Sequence, residues 1–202
     1  MSRYTGPKCR HCRREGISLC GSEKCALKKK AYKPGMHGPK GSFNKPSEYA
    51  RQLREKQKLK RLYGTTERQL QNYYDKAAKK REITGVALLK ELENRLDNVI
   101  YRAGFAETRA QARQMVNHGH FKINGVRMNV PSYQVKAGDK FELVERVKKS
   151  PLYAELEKQK FSAPAWMTVD LKKGQGEVVR LVEEEDLDKV IHTNLVVEFY
   201  SK

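Results

Sequence analysis

Apolar side chains recur at helical spacing through the middle of the chain and give way to alternation after residue 119, and this change of period marks its main parts. Ser47 follows Pro46 and can cap a helix running to Tyr63, with Ala50, Leu53 and Leu62 inward and Gly64 ending it. Thr66 and Gln69 have the spacing of a capping box, which opens a second helix with Leu70, Tyr73, Tyr74 and Ala77 on its inner face. Tyrosines at that spacing are expected to pack between helices, not to serve as platforms for bases. A third helix starts after Thr84 and includes Leu88, Leu89 and Leu92, completing a small helical domain.

The segment from Arg95 to Arg127 has the densest set of local signals. Leu96, Val99 and Ile100 share a helical face, Gly104 stands just past that helix, and Thr108 with Gln111 starts another. On the second helix Ala112, Met115 and Val116 face inward, whereas Arg109 and Arg113, four apart, are expected to point outward together. Gly119 stops it. The run from His120 to Met128 then alternates around Asn124-Gly125, a pair that tolerates the positive φ angles of a two-residue hairpin turn. Arg109, Arg113, His118, His120, Lys122 and Arg127 should therefore converge on one side of a helix-hairpin unit.

Beyond it, Tyr133 to Val135 and Lys140 to Val144 read as strands around Gly138-Asp139, followed by a helix from Leu152 to Lys160. The last part offers a hairpin, Met167 to Leu171 with Glu177 to Val182, then an acidic segment and the apolar run Leu195 to Tyr200.

Charge adds a partner to this outline. The net charge is +18, from 42 Lys and Arg against 24 Asp and Glu, and it is polarised. Residues 1–60 hold 17 basic and 4 acidic residues, residues 101–150 hold 10 and 4, and residues 151–202 hold 7 and 10. A basic arm plus a basic central module suggests two contacts with a polyanion. Folded RNA is favoured over DNA, because no homeodomain, leucine-zipper basic region or two-Cys, two-His finger is present and a convex basic module suits recognition by shape. No stretch approaches the roughly twenty apolar residues that span a bilayer, and no signal-peptide core is visible. The expected compartment is cytoplasmic, with no membrane partner.

The four cysteines Cys9, Cys12, Cys20 and Cys25 all lie in the irregular, Gly-Pro-punctuated residues 1–45. A two-residue gap lets Cys9 and Cys12 reach one ion, and four thiolates close a tetrahedral shell, which points to one structural Zn2+. Lys8, Arg10, Arg13 and Arg14 would offset the negative charge of such a centre. An iron–sulfur cluster accepts the same ligands, and His11 or His37 could substitute for one of them. Two disulfides do not suit a reducing compartment.

Taken with RYTGP (Arg3 to Pro7), PGMHG (Pro34 to Gly38), YARQLREKQKLKRLYG (Tyr49 to Gly64), PSYQVKAGD (Pro131 to Asp139) and LVVEFYSK (Leu195 to Lys202), the central module resembles the bacterial family of small-subunit ribosomal protein four over nearly the whole chain. The resemblance implies an α+β architecture: a cysteine arm (1–45), a helical domain (46–92 plus 161–202) and an inserted helix-hairpin RNA-binding module (93–160). The terminal tail would pack back on the helical domain. It further implies a primary rRNA-binding protein that acts early in small-subunit assembly at a multi-helix junction. Neighbouring protein five, translational accuracy and the path by which mRNA enters would be its context, and it would not be a homo-oligomer. Some relatives have such a cysteine set and others lack it. Candidate RNA contacts are Arg95, Arg109, Arg113, His118, His120, Lys122, Asn124 and Arg127 in the module, and Arg3, Lys8, Arg10 and Arg14 in the arm.

Catalysis has little room. Pseudouridine synthases carry the same module, but no stretch here is left for a catalytic domain, and neither a phosphate-binding glycine loop nor a nucleophile elbow is present. The cluster Glu183 to Asp186 with Asp188 reads as solvated acids at a helix start. A regulator that binds its own mRNA would use the same surface as a ribosomal component.

Overall fold

The computed structural model describes residues 4–40, 45–148, 150–154, 162–188 and 190–201. It divides into two compact units, one formed by residues 1–88 with 188–202 and the other by residues 89–187.

The first unit contains α1 (Cys9–Glu15), a 3-10 turn (Ala26–Lys28), α2 (Glu48–Leu62), α3 (Glu67–Ala78), the start of α4 (Thr84–Glu93) and, from the far end of the chain, α9 (Thr193–Tyr200). Ser47 caps α2 by accepting from the Ala50 N–H, and Thr66 with Gln69 forms the reciprocal box on α3. Leu70, Tyr73 and Ala77 are buried as their spacing implied, and Tyr74 meets Tyr200 with ring centroids 4.9 Å apart. Helix α2 departs from expectation: Gln52, Lys56, Lys58 and Leu59 are its buried residues, while Ala50, Leu53 and Leu62 are half-buried. The cause is α9, which lies along α2 and supplies polar partners to that face. Gln52 donates to Glu198 at 2.9 Å, and the Lys56 ammonium sits 4.5 Å from the centroid of the Phe199 ring. A Cβ on Gly85 would come within 2.7 Å of the Thr193 Cβ, so the start of α4 tolerates only glycine beneath α9.

The second unit contains the remainder of α4, α5 (Leu96–Arg102), α6 (Arg109–Asn117), β1 (Phe121–Ile123), β2 (Val126–Met128), β3 (Lys140–Leu143), the short helices α7 (Glu145–Lys148) and α8 (Pro151–Ala154), β4 (Met167–Asp170), β5 (Gln175–Val178) and a 3-10 turn (Glu184–Asp186). The strands form one antiparallel sheet in the order β2-β1-β3-β5-β4. Asn124 (φ 49°) and Gly125 (φ 82°) make the two-residue turn, with Ile123 opposite Val126. One face of the sheet and the inner sides of α5 and α6 bury Val99, Ile100, Phe105, Val116, Phe121, Phe141 and Trp166 in a common core. Phe105 meets both Phe121 and Phe141 edge to face, an arrangement aromatic quadrupoles favour.

Two expectations change, and a third falls partly outside the described residues. The tail hairpin does not join the helical unit: β5 pairs with β3 and extends the module's sheet, and only the segment with α9 belongs to the first unit. A bare Gly176 permits this, because a Cβ there would lie 2.4 Å from the Phe141 ring. The segment around Tyr133 to Val135 forms no strand of the sheet. It runs against residues 94–97 instead, where the Leu96 and Asp97 N–H groups donate to the Tyr133 and Pro131 carbonyls and Val135 donates to Asn94. The helix expected from Leu152 to Lys160 is seen over Pro151–Ala154, and residues 155–160 lie outside the described residues.

Glu67 is the electrostatic centre of the α2–α9 contact. It accepts from Lys56 at 2.7 Å, Lys60 at 2.9 Å and Tyr200 at 3.0 Å. Burial alone would raise its carboxyl above the ordinary 4.5, but those hydrogen bonds outweigh it and hold the group at about 2. A depressed acid stabilises the fold above its unfolded value and loses that contribution as pH falls toward the folded value. Thermal unfolding should therefore shift downward between about pH 5 and about pH 2. Glu67→Gln should flatten part of that shift while costing roughly 1 kcal/mol or less at neutral pH, since the side chain is nearly half exposed.

Candidate nucleic-acid interface

The module is held together at its base by ion pairs that its sequence does not advertise. Thr108 caps α6 by accepting from the Gln111 N–H, while the Gln111 side chain reaches past it to the Glu107 N–H. This fixes α6 beside α5 and brings four guanidinium groups around two carboxylates. Arg95 donates to Asp97 through Nε at 3.0 Å and Nη2 at 2.6 Å, and Arg113 adds a contact to the same carboxylate at 3.5 Å. Arg102 binds Glu93 in the two-pronged manner at 3.0 and 2.9 Å, and Asn98 donates to Glu93 at 2.6 Å. Arg109 donates to the side-chain amide oxygen of Asn98 at 2.8 Å and lies over the Tyr101 ring, 4.5 Å from its centroid.

Burial decides what these groups can do. Arg95 is fully buried and Arg113 is 8% exposed, so neither offers a surface to RNA, and the expected outward face is corrected to an inward one for Arg113, with Arg109 half-buried beside it. The reason is Asp97 and Glu93: placing a carboxylate in a core requires a cation beside it, and these arginines are within reach. The planar fork of arginine satisfies both oxygens at once, which an ammonium cannot. Arg102 and Arg109 remain partly accessible at the rim.

The other candidates divide. His118 and Arg127 are exposed and adjacent: Arg127 donates to the carbonyls of Gly119 at 2.9 Å and His118 at 3.0 Å. His120 turns to Tyr153, 2.8 Å from its hydroxyl, and burial with neighbouring His118 and Arg127 lowers its pKa. Lys122 stands opposite Glu142 in the ladder, 3.6 Å away, as Lys140 stands opposite Glu177. The outer face of the sheet is thus partly neutralised internally. Asn124 is spent on structure, donating to Asp139 at 2.9 Å and accepting from the Lys140 N–H. Arg180 pairs with Asp186 at 2.7 Å and Glu183 at 3.6 Å, which gives the acidic segment a structural partner.

In the arm, Lys8, Arg10 and Arg14 are exposed, as are Lys28, Lys29 and Lys30, whereas Arg3 lies outside the described residues. The sulfurs of Cys9, Cys20 and Cys25 lie within 4.8 Å of one another. Cys12, fully buried, sits close to Cys20 and Cys25, and burial pushes its thiol up to about 12. Burial opposes ionisation of Cys25 too, but hydrogen bonds from Leu27, Ser18, Cys20 and Cys12 prevail and draw it to about 7. An all-thiol set of this size can hold a metal ion. The arm is anchored to α2 through Glu15, whose buried carboxylate meets Arg54 at 3.4 Å and also pairs with Arg61.

Comparison with known proteins agrees with this geometry. Residues 3–93 match the ribosomal protein S4/S9 N-terminal domain and residues 94–141 match the S4 domain. The two matches define the class, a helical ribosomal domain joined to an S4-type RNA-binding domain. Over their full lengths, the chain is 49% identical to the small ribosomal subunit protein uS4 of Natranaerobius thermophilus, 50% identical to uS4A of Alkaliphilus oremlandii and 46% identical to uS4 of Thermus thermophilus. The chain belongs to the uS4 family of ribosomal proteins, which are structural constituents and not enzymes.

The residues that sequence reasoning missed are Glu93, Asp97 and Asn98 as internal organisers, and Asn117 and Asn129 beside Arg127. Only the four-residue spacing of Glu93 and Asp97 hinted at the first group. Removing one partner of a buried pair leaves the other uncompensated. Asp97→Ala should lower the unfolding free energy of the second unit by about 3–5 kcal/mol, whereas Arg127→Ala should cost roughly 1 kcal/mol. Urea titration followed by fluorescence of Trp166, the chain's single tryptophan and a member of this core, measures both.

Proposed function

We propose that this chain works as an electrostatic clamp on small-subunit rRNA, binding early in assembly at a junction of several RNA helices. Two basic faces supported by packed protein hold phosphates that would otherwise repel one another, and this restricts the junction to one arrangement. The observation that carries the reading is the pairing of a full-length uS4 relationship with a net charge of +18 concentrated in the arm and the module. Its functional divisions are a cysteine arm, a helical domain and an S4-type module, with neighbouring protein five and the path of incoming mRNA as its surroundings. A contribution to translational accuracy follows from that position.

The arm's cysteines suit one structural zinc. Tetrahedral thiolate coordination at about 2.3 Å requires sulfurs about 3.8 Å apart, and those of Cys9, Cys20 and Cys25 already lie within 4.8 Å of one another. Cys9, Cys12, Cys20 and Cys25 would fill the shell and leave no position for substrate, so the ion would order the arm and take no part in chemistry. Exposed Lys8, Arg10 and Arg14 would then project from a fixed support.

Elemental analysis of the purified chain should find about one zinc per molecule. Iron in its place would assign a cluster, and a metal-free protein with four freely reacting thiols would reject the site. For RNA, filter binding with small-subunit rRNA should weaken steeply with salt. Neutralising about six phosphates gives a log–log slope near −5. Gradient sedimentation of cell extract should carry the chain with small subunits, and a chain that stays with free protein would instead favour a regulator of mRNA.

A further inference from the structure

Where α6 ends against β2, the surface opens into a recess of about 290 Å3 lined by Asn117, His118, Gly119, Arg127 and Asn129. Its chemistry is specific. The Arg127 guanidinium is held in place by the His118 and Gly119 carbonyls, which use two of its five N–H groups and leave three. Gly119, at φ 66°, admits it: a Cβ there would lie 2.5 Å from Arg127 Nε. The amide oxygen of Asn117 is buried with no donor among the described residues. Because the terminal torsion of asparagine is soft, that amide can turn toward a ligand that supplies an N–H. His118 and Asn129 are exposed at the rim.

This combination discriminates between the parts of a nucleotide. The guanidinium would attract a phosphate, but the recess also lies at the carboxyl end of a helix, where the dipole disfavours anions. A flat group that accepts on one edge and donates on the next suits both features. Guanine does this: O6 and N7 accept from an arginine fork, while N1–H and the exocyclic amine donate to amide or carbonyl oxygens. The exposed His118 ring offers a surface on which a base could lie, as aromatic side chains do for splayed-out RNA bases. The volume is at the lower limit of small-ligand sites, suited to one unstacked base and too small for a helix groove.

We infer that the Asn117–Arg127–Asn129 recess is a subsite for a single unpaired guanine of the bound RNA. The inference deepens the rRNA-clamp reading and rests on it for the source of the base. It makes the module a reader of one nucleotide identity in addition to a binder of phosphates. Lys122, paired with Glu142, plays no part in it.

Titrating the full chain with GMP, CMP and inorganic phosphate separately, and following the Arg127 Nε–H and the Asn117 and Asn129 side-chain amides by NMR, tests the site. GMP should move these signals and CMP, which carries the same phosphate, should not. An equal response to CMP or to phosphate alone, or no response to any probe, overturns the subsite. With rRNA, Arg127→Lys keeps the charge but loses the planar fork. It should weaken binding roughly 5- to 100-fold with the salt slope unchanged. Affinity equal to that of the unaltered chain would also overturn the proposal. Failure of the unaltered chain to bind rRNA, with the GMP response intact, would reject the clamp reading and leave the guanine site standing.

Discussion

Two carboxylates in the interior, Glu93 and Asp97, determine most of what the module can present. Neither is tolerable in a core without a cation, and each is satisfied by arginines arriving from α5, α6 and the turn before them. The result is a basic segment in which part of the positive charge is structural. Arg95 and Arg113 hold helices at a fixed separation, and the cations that face solvent gain a rigid support from them. Binding a polyanion with side chains whose supports are already ordered avoids much of the conformational cost that a disordered basic segment meets on association.

The same division between internal and outward charge recurs in the first unit. Lys56 and Lys60 are drawn to Glu67 beneath α9, and Arg54 and Arg61 to Glu15, which ties the cysteine arm to α2. Lys8, Arg10, Arg14 and Lys28 to Lys30 stay exposed. A net charge read from composition overstates the cations available to RNA, because the acidic minority is placed where it consumes specific basic partners. What remains outward is a smaller set, fixed by burial and strand register.

Local chemistry was legible in the sequence and long-range pairing was not. The capping box at Thr66 and Gln69, the start of α6 at Thr108 and the turn at Asn124-Gly125 depend on residues a few positions apart, and each forms where its signal stands. The tail hairpin gave no sign that it would extend the module's sheet, since β5 and β3 are brought together by a core around Phe141 that no short window contains. Site residues follow the same rule. His118 and Arg127 could be picked as exposed polar groups near a turn, but Arg95 and Arg113 look identical to surface arginines until Asp97 is placed between them. Lys122 needed the register that sets it opposite Glu142.

The central claim is that the RNA-facing surface is built before RNA arrives. Amide hydrogen exchange of α5, α6 and the β1–β2 hairpin, compared between the free chain and its rRNA complex, tests this most directly. Slow exchange across Val99 to Val116 in the free chain, changed little by rRNA, is the expected result. Rapid exchange there that becomes slow only in the complex would contradict it, because the ion network would then be a consequence of binding and not its support.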